Sequence, residues 1–264
     1  MQPRPSLSRW RLLLAAPRSG AENMARDTAL LARAARTGET VFSIYTWASP
    51  TLSFGRHQPA AGHYDPERLR VAGVDVVRRP TGGRAILHHR EVTYSVTAPL
   101  SDEPLRATYA RINRILVDGL SRIGVKAAIA APAGRAAAPS ARPCFERPAE
   151  GEVVADGRKL VGSAQWRDSG ALLQHGSILV EDDQSSLPAF SVVTEGAREA
   201  LPEPATLCGL LGRKPTPKEL AEAMFEAVKS LEDAQSVEIE EHEIRDDTLR
   251  RIPHFVDRRW TWRR

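Results

Sequence analysis

The chain has 264 residues, which suits one large domain or two small ones with a substantial buried core. Hydrophobic residues make up 42% and charged residues 27%, an ordinary globular balance that excludes disorder throughout. The formal charge is +4 with a pI near 9.3, which suits acidic partners, yet no aromatic-basic RNA motif or zinc finger points to nucleic acid.

The N-terminal "MQPRPSLSRWRLLLAAPRSG" is basic, and its "LLLAA" run is too short for a signal-peptide core or a membrane span. Residues 1–18 read as a tail and first strand around Trp10–Ala15, with an organelle presequence as the alternative. Ala21–Ala35 carries Met24, Leu30 and Leu31 at helical spacing among many alanines, which predicts a helix. "TVFSIYTW" and "TLSFG" read as strands. "DPERLRVAG" has Asp65 as N-cap, Pro66 at the first helical position and Gly73 at its end, a short-helix signature. "VDVVRR", "AILHH" and "VTYSVTA" are extended, with "PTGGR" breaking them. Ser101 is expected to open a long helix with an apolar stripe of Leu105, Tyr109, Ile112, Leu116, Leu120 and Ile123, ended by Gly124. "VKAAIA" is a short strand, and residues 130–143, rich in Ala, Pro and Arg, read as a flexible loop ahead of Cys144. "EGEVVA" and "RKLVGSAQW" flank Asp156-Gly157, a strong hairpin signal. "RDSG" makes a second turn before "ALLQHGSILV". "TPKELAEAMFEAVKSLE" is a helix with Thr216 as N-cap. "SVEIEE" reads as a strand, and the terminal "IRDDTLRRIPHFVDRRWTWRR" as one charged helix with an aromatic anchor in which Trp260 and Trp262 pack. Interleaved helices with hairpin-joined strands predict an α+β fold with mixed or antiparallel β-sheets packed with helices.

Two cysteines, Cys144 and Cys208, build no disulfide framework, which places the chain in a reducing, cytoplasmic setting. Two blocks carry candidate chemistry. In "RRPTGGRAILHH", Gly82 and Gly83 let the backbone approach a ligand closely, with Arg78, Arg79 and Arg84 near in sequence. The spacing fits neither a Walker nor a Rossmann loop, and a plain turn beside surface arginines is the competing reading. In "PCFERPAEGEVVADGRKLVGSAQW", Lys159 is one of five lysines in an arginine-rich chain and lies one hairpin away from Cys144. A nearby ammonium stabilises a thiolate, and a partly desolvated lysine can also move protons. Against this, a lone Cys is often a small buried hydrophobe and a Lys after a turn is often exposed. Cys208 in "ATLCGLLG" precedes a turn and is the rival nucleophile. His88, His89 and His175 lack metal-site spacing; His175 faces either a pocket or a satisfied core position.

Several segments together, "GAENMARDTALLA", "PTLSFGRHQ", "RRPTGGRAILHHREVTYSV", "GRKLVGSAQWRDSGALLQHGSILV" and "WTWRR", resemble the biotin/lipoate protein ligase superfamily in the expected order. Within it, "PCFE" followed fifteen positions after the Cys by the Lys of "GRKLVGSAQ" is most similar to the Cys–Lys octanoyltransferases found in many firmicutes and the related amidotransferases. The resemblance implies a single catalytic domain over residues 19–264, Cys144 as acyl-thioester nucleophile and Lys159 as its activator. It also implies an acyl site built from Arg79, Thr81, Gly82, Gly83, Arg84, His88, Val161, Gly162, Ser163 and His175. "ERPAEGE" departs from that branch in lacking the aromatic-acid pattern after the Cys. The implied reaction moves an octanoyl or lipoyl group from a carrier-protein thioester to a lysine of a lipoyl domain, with octanoyl-acyl carrier protein as donor and the glycine-cleavage H protein or another lipoyl domain as acceptor. No cofactor, metal, nucleic acid or membrane is expected. The alternatives are an ATP-dependent lipoate ligase, which would use ATP and Mg, and an amidotransferase between lipoyl domains.

Overall fold

In the computed structural model, residues 9–131, 151–192 and 203–263 are described. In chain order they form β1 (Trp10–Leu14), α1 (Gly20–Thr37), β2 (Thr40–Tyr45), β3 (Thr51–Phe54), α2 (Pro66–Val71), β4 (Asp75–Arg78), β5 (Ile86–His88) and β6 (Glu91–Pro99). Then come α3 (Leu105–Arg122), β7 (Ala127–Ile129), β8 (Val153–Ala155), β9 (Arg158–Asp168), β10 (Ala171–Leu179), α4 (Leu207–Leu211), α5 (Pro217–Leu231) and β11 (Val237–Glu238). Three short helices follow: α6 (Arg245–Leu249), α7 (Ile252–Val256) and α8 (Arg258–Thr261).

Local chemistry accounts for most boundaries. Ser19 and Glu22 cap α1 reciprocally, side chain to backbone in both directions, and Gly38 ends it at φ +73°. Asp65 accepts from the amides of Glu67 and Arg68 to start α2. The β8–β9 turn holds Asp156 and Gly157 at φ +50° and +71°, and the β9–β10 turn holds Ser169 and Gly170 at +47° and +83°. Two successive residues at positive φ are what a two-residue hairpin needs to match strand twist.

The eight-stranded sheet runs β11-β1-β2-β6-β10-β9-β8-β7, and a three-stranded sheet runs β4-β3-β5. Both are mixed: β1 pairs parallel with β2 and β11, whereas β2 through β7 pair antiparallel; β3 is parallel to β4 and antiparallel to β5. One face of the large sheet packs on α3 and α5, where Ile112, Ile115, Leu116 and Leu120 meet Leu220, Met224, Val228 and the strand residues Phe42, Val96 and Val161. The other face packs on α1, with the small sheet alongside.

Three expectations change. The long helix starts at Leu105, not near Ser101: the Ser101 hydroxyl accepts from the Glu103 amide in a turn, and Pro104 is the N-cap. A proline pushes the residue before it out of helical torsions, so no helix passes through Glu103. Its buried face is Thr108, Ile112, Asn113, Ile115, Leu116, Gly119 and Leu120, rotated from the predicted stripe so that Leu105 and Tyr109 are only half-buried. The C-terminal segment is three short helices rather than one, because Pro253 sits in the first turn of α7 and Asp257 caps α8 through the Arg259 amide. Cys208 lies within the short α4 rather than before a turn. Among the described residues no helix is long and apolar enough to cross a membrane.

Candidate functional site

The "RRPTGGR" block begins at the end of β4, and the first two of its three arginines are not on the surface. Arg78 is wholly buried. Its guanidinium donates to the carbonyls of Gly55, Gln58, Trp260, Thr261 and Arg263, while the Trp260 indole donates to the Arg78 carbonyl at 2.9 Å. That clasp fixes the C-terminal aromatic segment onto β3 and β4. Burial, with Arg263 and Arg79 nearby, lowers the Arg78 pKa to about 10. Arg79 folds under the glycine turn: Nε and Nη2 donate to the Gly82 carbonyl, Nη2 also to the Arg84 carbonyl, and Nη1 to the Ser53 carbonyl and hydroxyl. Gly83 stands at φ +92°. A Cβ on Gly55 would fall 1.9 Å from the Gly83 carbonyl oxygen, so β3 and the turn touch backbone to backbone, as only glycine permits.

A cleft of about 430 Å³, counting its open mouth, lies between this turn, α1 and the large sheet. Met24, Tyr45, Trp47, Ile86 and Thr93 line it together with Arg79, Gly83, His88, Gly162, Ser163 and His175. Two hydroxyl–histidine–carboxylate networks form its walls. In the first, Ser53 Oγ lies 2.8 Å from His88 Nε2, His88 Nδ1 lies 3.1 Å from Glu91 Oε1, and Arg79 Nη1 donates to Ser53 Oγ. Glu91 also accepts from Thr93 at 2.7 Å and Ser177 at 2.6 Å. Arginine only donates and Glu91 only accepts, so the network assigns the His88 proton to Nδ1 and makes Ser53 the donor to Nε2. Burial holds the His88 pKa below the usual value despite Glu91, in keeping with a neutral ring. Trp47 stacks on that ring at 4.0 Å and donates to Thr93 at 2.8 Å.

In the second network Asp27 Oδ2 accepts from the Tyr45 hydroxyl at 2.9 Å and from His175 Nδ1 at 2.8 Å. His175 Nε2 lies 2.6 Å from Thr81 Oγ1. Burial first, and the Asp27 charge second, push the Tyr45 pKa well above its usual value, so the phenol stays a donor. The donors aimed at both carboxylates are thus spent within the walls, and Met24, Trp47 and Ile86 give the cleft apolar side chains beside the Arg79 guanidinium.

Lys159 is elsewhere. Beyond a bulge at Leu160, where Val154 pairs with Lys159 but Val153 with Val161, strand alternation sends Val161, Ser163 and Gln165 toward α3, and Gly162, Ala164 and Trp166 toward α1 and the small sheet. Lys159 Nζ meets Glu152 Oε1 at 2.7 Å near Tyr109 of α3, with Lys159 3% and Glu152 7% exposed. Around them the Tyr94 hydroxyl and Ser163 Oγ are 2.6 Å apart, Gln174 donates to Tyr94 and Asn113, and Asn113 donates to the Gly151 carbonyl. Burial, then the Glu152 charge, raise the Tyr109 pKa. A Cβ on Gly151 would sit 3.3 Å from the Tyr109 ring, so α3 supplies an aromatic ring beside the acid although the "ERPAEGE" segment has none. The two faces meet where side chains are missing: a Cβ on Gly176 would lie 2.4 Å from the Gly162 carbonyl oxygen and 2.7 Å from the Tyr94 ring.

Of the residues named from sequence, the cleft gathers Arg79, Gly83, His88, Gly162, Ser163 and His175. Thr81 is tied in through His175, and Gly82 and Arg84 through their carbonyls on Arg79. Val161 sits in the core against α3 and α5. Lys159 is buried and ion-paired, not exposed as a residue after a turn often is. Cys144 and residues 132–143 of the preceding loop lie outside the described residues. Sequence reasoning missed Asp27, Tyr45, Ser53, Glu91, Glu152 and Ser177. Asp27 left one signal, an acid on the same helical face as Leu30 and Leu31 where solvent-facing charge does not belong.

Residues 19–229 match the lipoyl protein ligase A/B catalytic domain family. The chain is 46% identical over 188 residues to octanoyltransferase LipM of Kyrpidia tusciae, covering 67% of this chain and 68% of the relative. It is 34% identical over 257 residues to octanoyltransferase LipM of Anoxybacillus flavithermus, covering 91% of each. Among solved structures, lipoate-protein ligase A bound with ATP superposes with a TM-score of 0.78 at 20% identity, covering 96% of this chain and 98% of that one. The bi-partite lipoate protein ligase of Thermoplasma acidophilum does so with a TM-score of 0.76 at 20% identity, covering 97% and 96%. At such identities the superpositions speak for the fold. The family match and the relatives' identity, joined to the shared fold, make this chain a member of the lipoyl protein ligase A/B catalytic domain family.

Proposed function

We propose that the chain is an octanoyltransferase of protein lipoylation that works through a cysteine thioester. The relatives carry that activity in their names, and the buried Lys159–Glu152 ion pair is the observation that carries the mechanism. An ammonium held at 2.7 Å by a buried carboxylate has a fixed position and is shielded from water. β9, which bears it, pairs with β8, the strand that continues from the segment of Cys144.

In the first step the Cys144 thiolate attacks the octanoyl thioester of acyl carrier protein. The new C–S bond forms, the carrier sulfur leaves, and Lys159 gives it a proton. The step exchanges one thioester for another and is near thermoneutral. In the second, the neutral amine of a lipoyl-domain lysine, with the glycine-cleavage H protein as the expected acceptor, attacks the octanoyl-enzyme. The C–N bond forms, Cys144 leaves as thiolate, and Lys159 takes the amine proton, so the starting ion pair returns. This step is downhill because an amide is more stable than a thioester. Neither step uses ATP, metal or another cofactor. The apolar side chains of the cleft hold the aliphatic chain, the Gly82-Gly83 turn and Gly162-Ser163 cradle its carbonyl end, and Val161 supports the strand from behind. The reading makes the protein a single catalytic domain working in the cytoplasm.

Intact-protein mass spectrometry after exposure to octanoyl-acyl carrier protein tests this. The expected result is one added octanoyl group, labile to hydroxylamine and absent in Cys144→Ser, with transfer to the acceptor without ATP. Transfer only with free acid and ATP would make the chain a ligase. Transfer only from an acylated lipoyl domain would make it an amidotransferase. Loss of the adduct in Cys208→Ser alone would move the nucleophile.

A further inference from the structure

Arg56, the residue after Gly55 in the loop that follows β3, stands apart from the other arginines around the glycine turn. Its amide donates to the Thr81 carbonyl at 2.7 Å, and its carbonyl accepts from Arg263, so the backbone is pinned. Its guanidinium lies over two indoles, with Cζ 5.0 Å from the Trp166 ring centre and 5.7 Å from that of Trp260. Among the described residues no carboxylate and no hydrogen-bond acceptor meets that guanidinium. Arg78 and Arg79, by contrast, spend theirs on carbonyls.

The surroundings add positive charge rather than remove it. Arg263 shares the Trp260 indole, its Cζ 4.2 Å from the ring centre, and its pKa is lowered by burial and then by Arg56. The imidazole of His254 is also disfavoured in its charged form, by burial first and then by Arg56 and Arg263, against the opposing pull of Asp257. Asp257 itself is engaged by Arg259. The site borders the acyl cleft on two sides. Gly55 rests on the backbone of Gly83, and Trp166 follows Ala164 on the same face of β9; both Gly83 and Ala164 line the cleft.

A guanidinium stacked on aromatic faces keeps its in-plane donors for a planar or tetrahedral oxyanion, and phosphate takes two of them side by side. We infer that Arg56, held between Trp166 and Trp260 at the rim of the cleft, is a receptor for the phosphate of the phosphopantetheine arm that brings in the acyl group. This rests on the proposed carrier-bound donor, whose acyl thioester is attached to a prosthetic arm that carries a phosphodiester. A nucleotide phosphate shares the same chemistry, and the experiment separates the two.

Two donors that differ only in the phosphate, octanoyl-phosphopantetheine and octanoyl-pantetheine, are compared by kcat/KM with the full chain. The wild type is expected to prefer the phosphorylated donor by about 10-fold, Arg56→Gln to lose most of that preference, and Arg56→Lys, which keeps the charge without the planar fork, to fall between them. An unchanged preference in Arg56→Gln overturns the inference. A binding measurement stands apart from the acyl chemistry: tryptophan fluorescence titrated with phosphopantetheine, pantetheine or AMP. A saturable change with phosphopantetheine that is lost in Arg56→Gln and absent with pantetheine supports the site even if the transfer reaction fails. A response to AMP alone assigns the site to a nucleotide and overturns the prosthetic arm. No response to either phosphate overturns the site.

Discussion

Two regions of the molecule handle buried charge in different ways. Near Tyr109 of α3, Lys159 and Glu152 meet as an ion pair at 2.7 Å. On the cleft side, among the described residues, Glu91 and Asp27 meet no lysine or arginine in that way; hydroxyls and histidine N–H groups surround them. A buried charge must be paired or hydrogen-bonded, and each solution leaves a different surface. The ion pair keeps a movable proton beside the strand that continues from the Cys144 segment. The hydrogen-bonded carboxylates sit behind apolar side chains such as Met24 and Ile86. Under the proposed mechanism the difference would separate proton transfer from acyl binding within one sheet.

The largest expected effect is on the ion pair. Lys159→Met should lower single-turnover acyl transfer by about 10³-fold. By leaving Glu152 buried and without its ammonium it should also cost about 3–5 kcal/mol in urea unfolding. Glu152→Gln, which keeps the ammonium and removes its counter-charge, should retain more activity in the same assay. A Lys159→Met protein that transfers at the wild-type rate would remove the contrast between the two regions. Next comes the place where the faces meet. In Gly176→Ala the new methyl group would press on the Gly162 carbonyl and the Tyr94 ring, for a cost of about 1–3 kcal/mol by denaturant unfolding. Tyr94→Phe removes the hydroxyl shared by Ser163 and Gln174 and should cost about 1 kcal/mol in the same assay.

The smallest effect is a slope. The folded-state pKa of His88 lies below 6.5, so as the pH falls through that value the unfolded chain takes the proton first. The stability that His88 contributes is complete above pH 6.5 and is lost as the pH drops toward its folded pKa. His88→Gln should show a shallower fall in urea midpoint below about pH 6.5 than the wild type. Equal slopes would mean that His88 is charged in the fold and that its neutral tautomer is misassigned.

Some of this was legible in the residues alone. The Asp156-Gly157 and Ser169-Gly170 turns were, because turn torsions depend on a few adjacent residues. So were the starts of α2 and α5, since Asp65 and Thr216 cap helices through amides two or three positions away. Pro104, Pro253 and Asp257 are signals of the same local kind, and they mark the start of α3 and the divisions of the C-terminal segment that the periodicity of apolar residues hides. The cleft residues next to the glycine turn were found because the motif itself is contiguous.

The carboxylates of the site were not legible, because their partners are distant in sequence: Asp27 meets His175 across 148 positions and Ser177 meets Glu91 across 86. The sequence by itself determined the hairpins, the helix caps and the family-like blocks, all set by torsions and contacts over a few residues. Only the tertiary structure decided which histidine meets which acid, that Arg78 is a clasp rather than a surface charge, and that Lys159 is buried against Glu152 outside the lining of the cleft. Those outcomes depend on strand order and on which side chains a shared core can bury without leaving a charge unpaired, and neither is a property of any single stretch of chain.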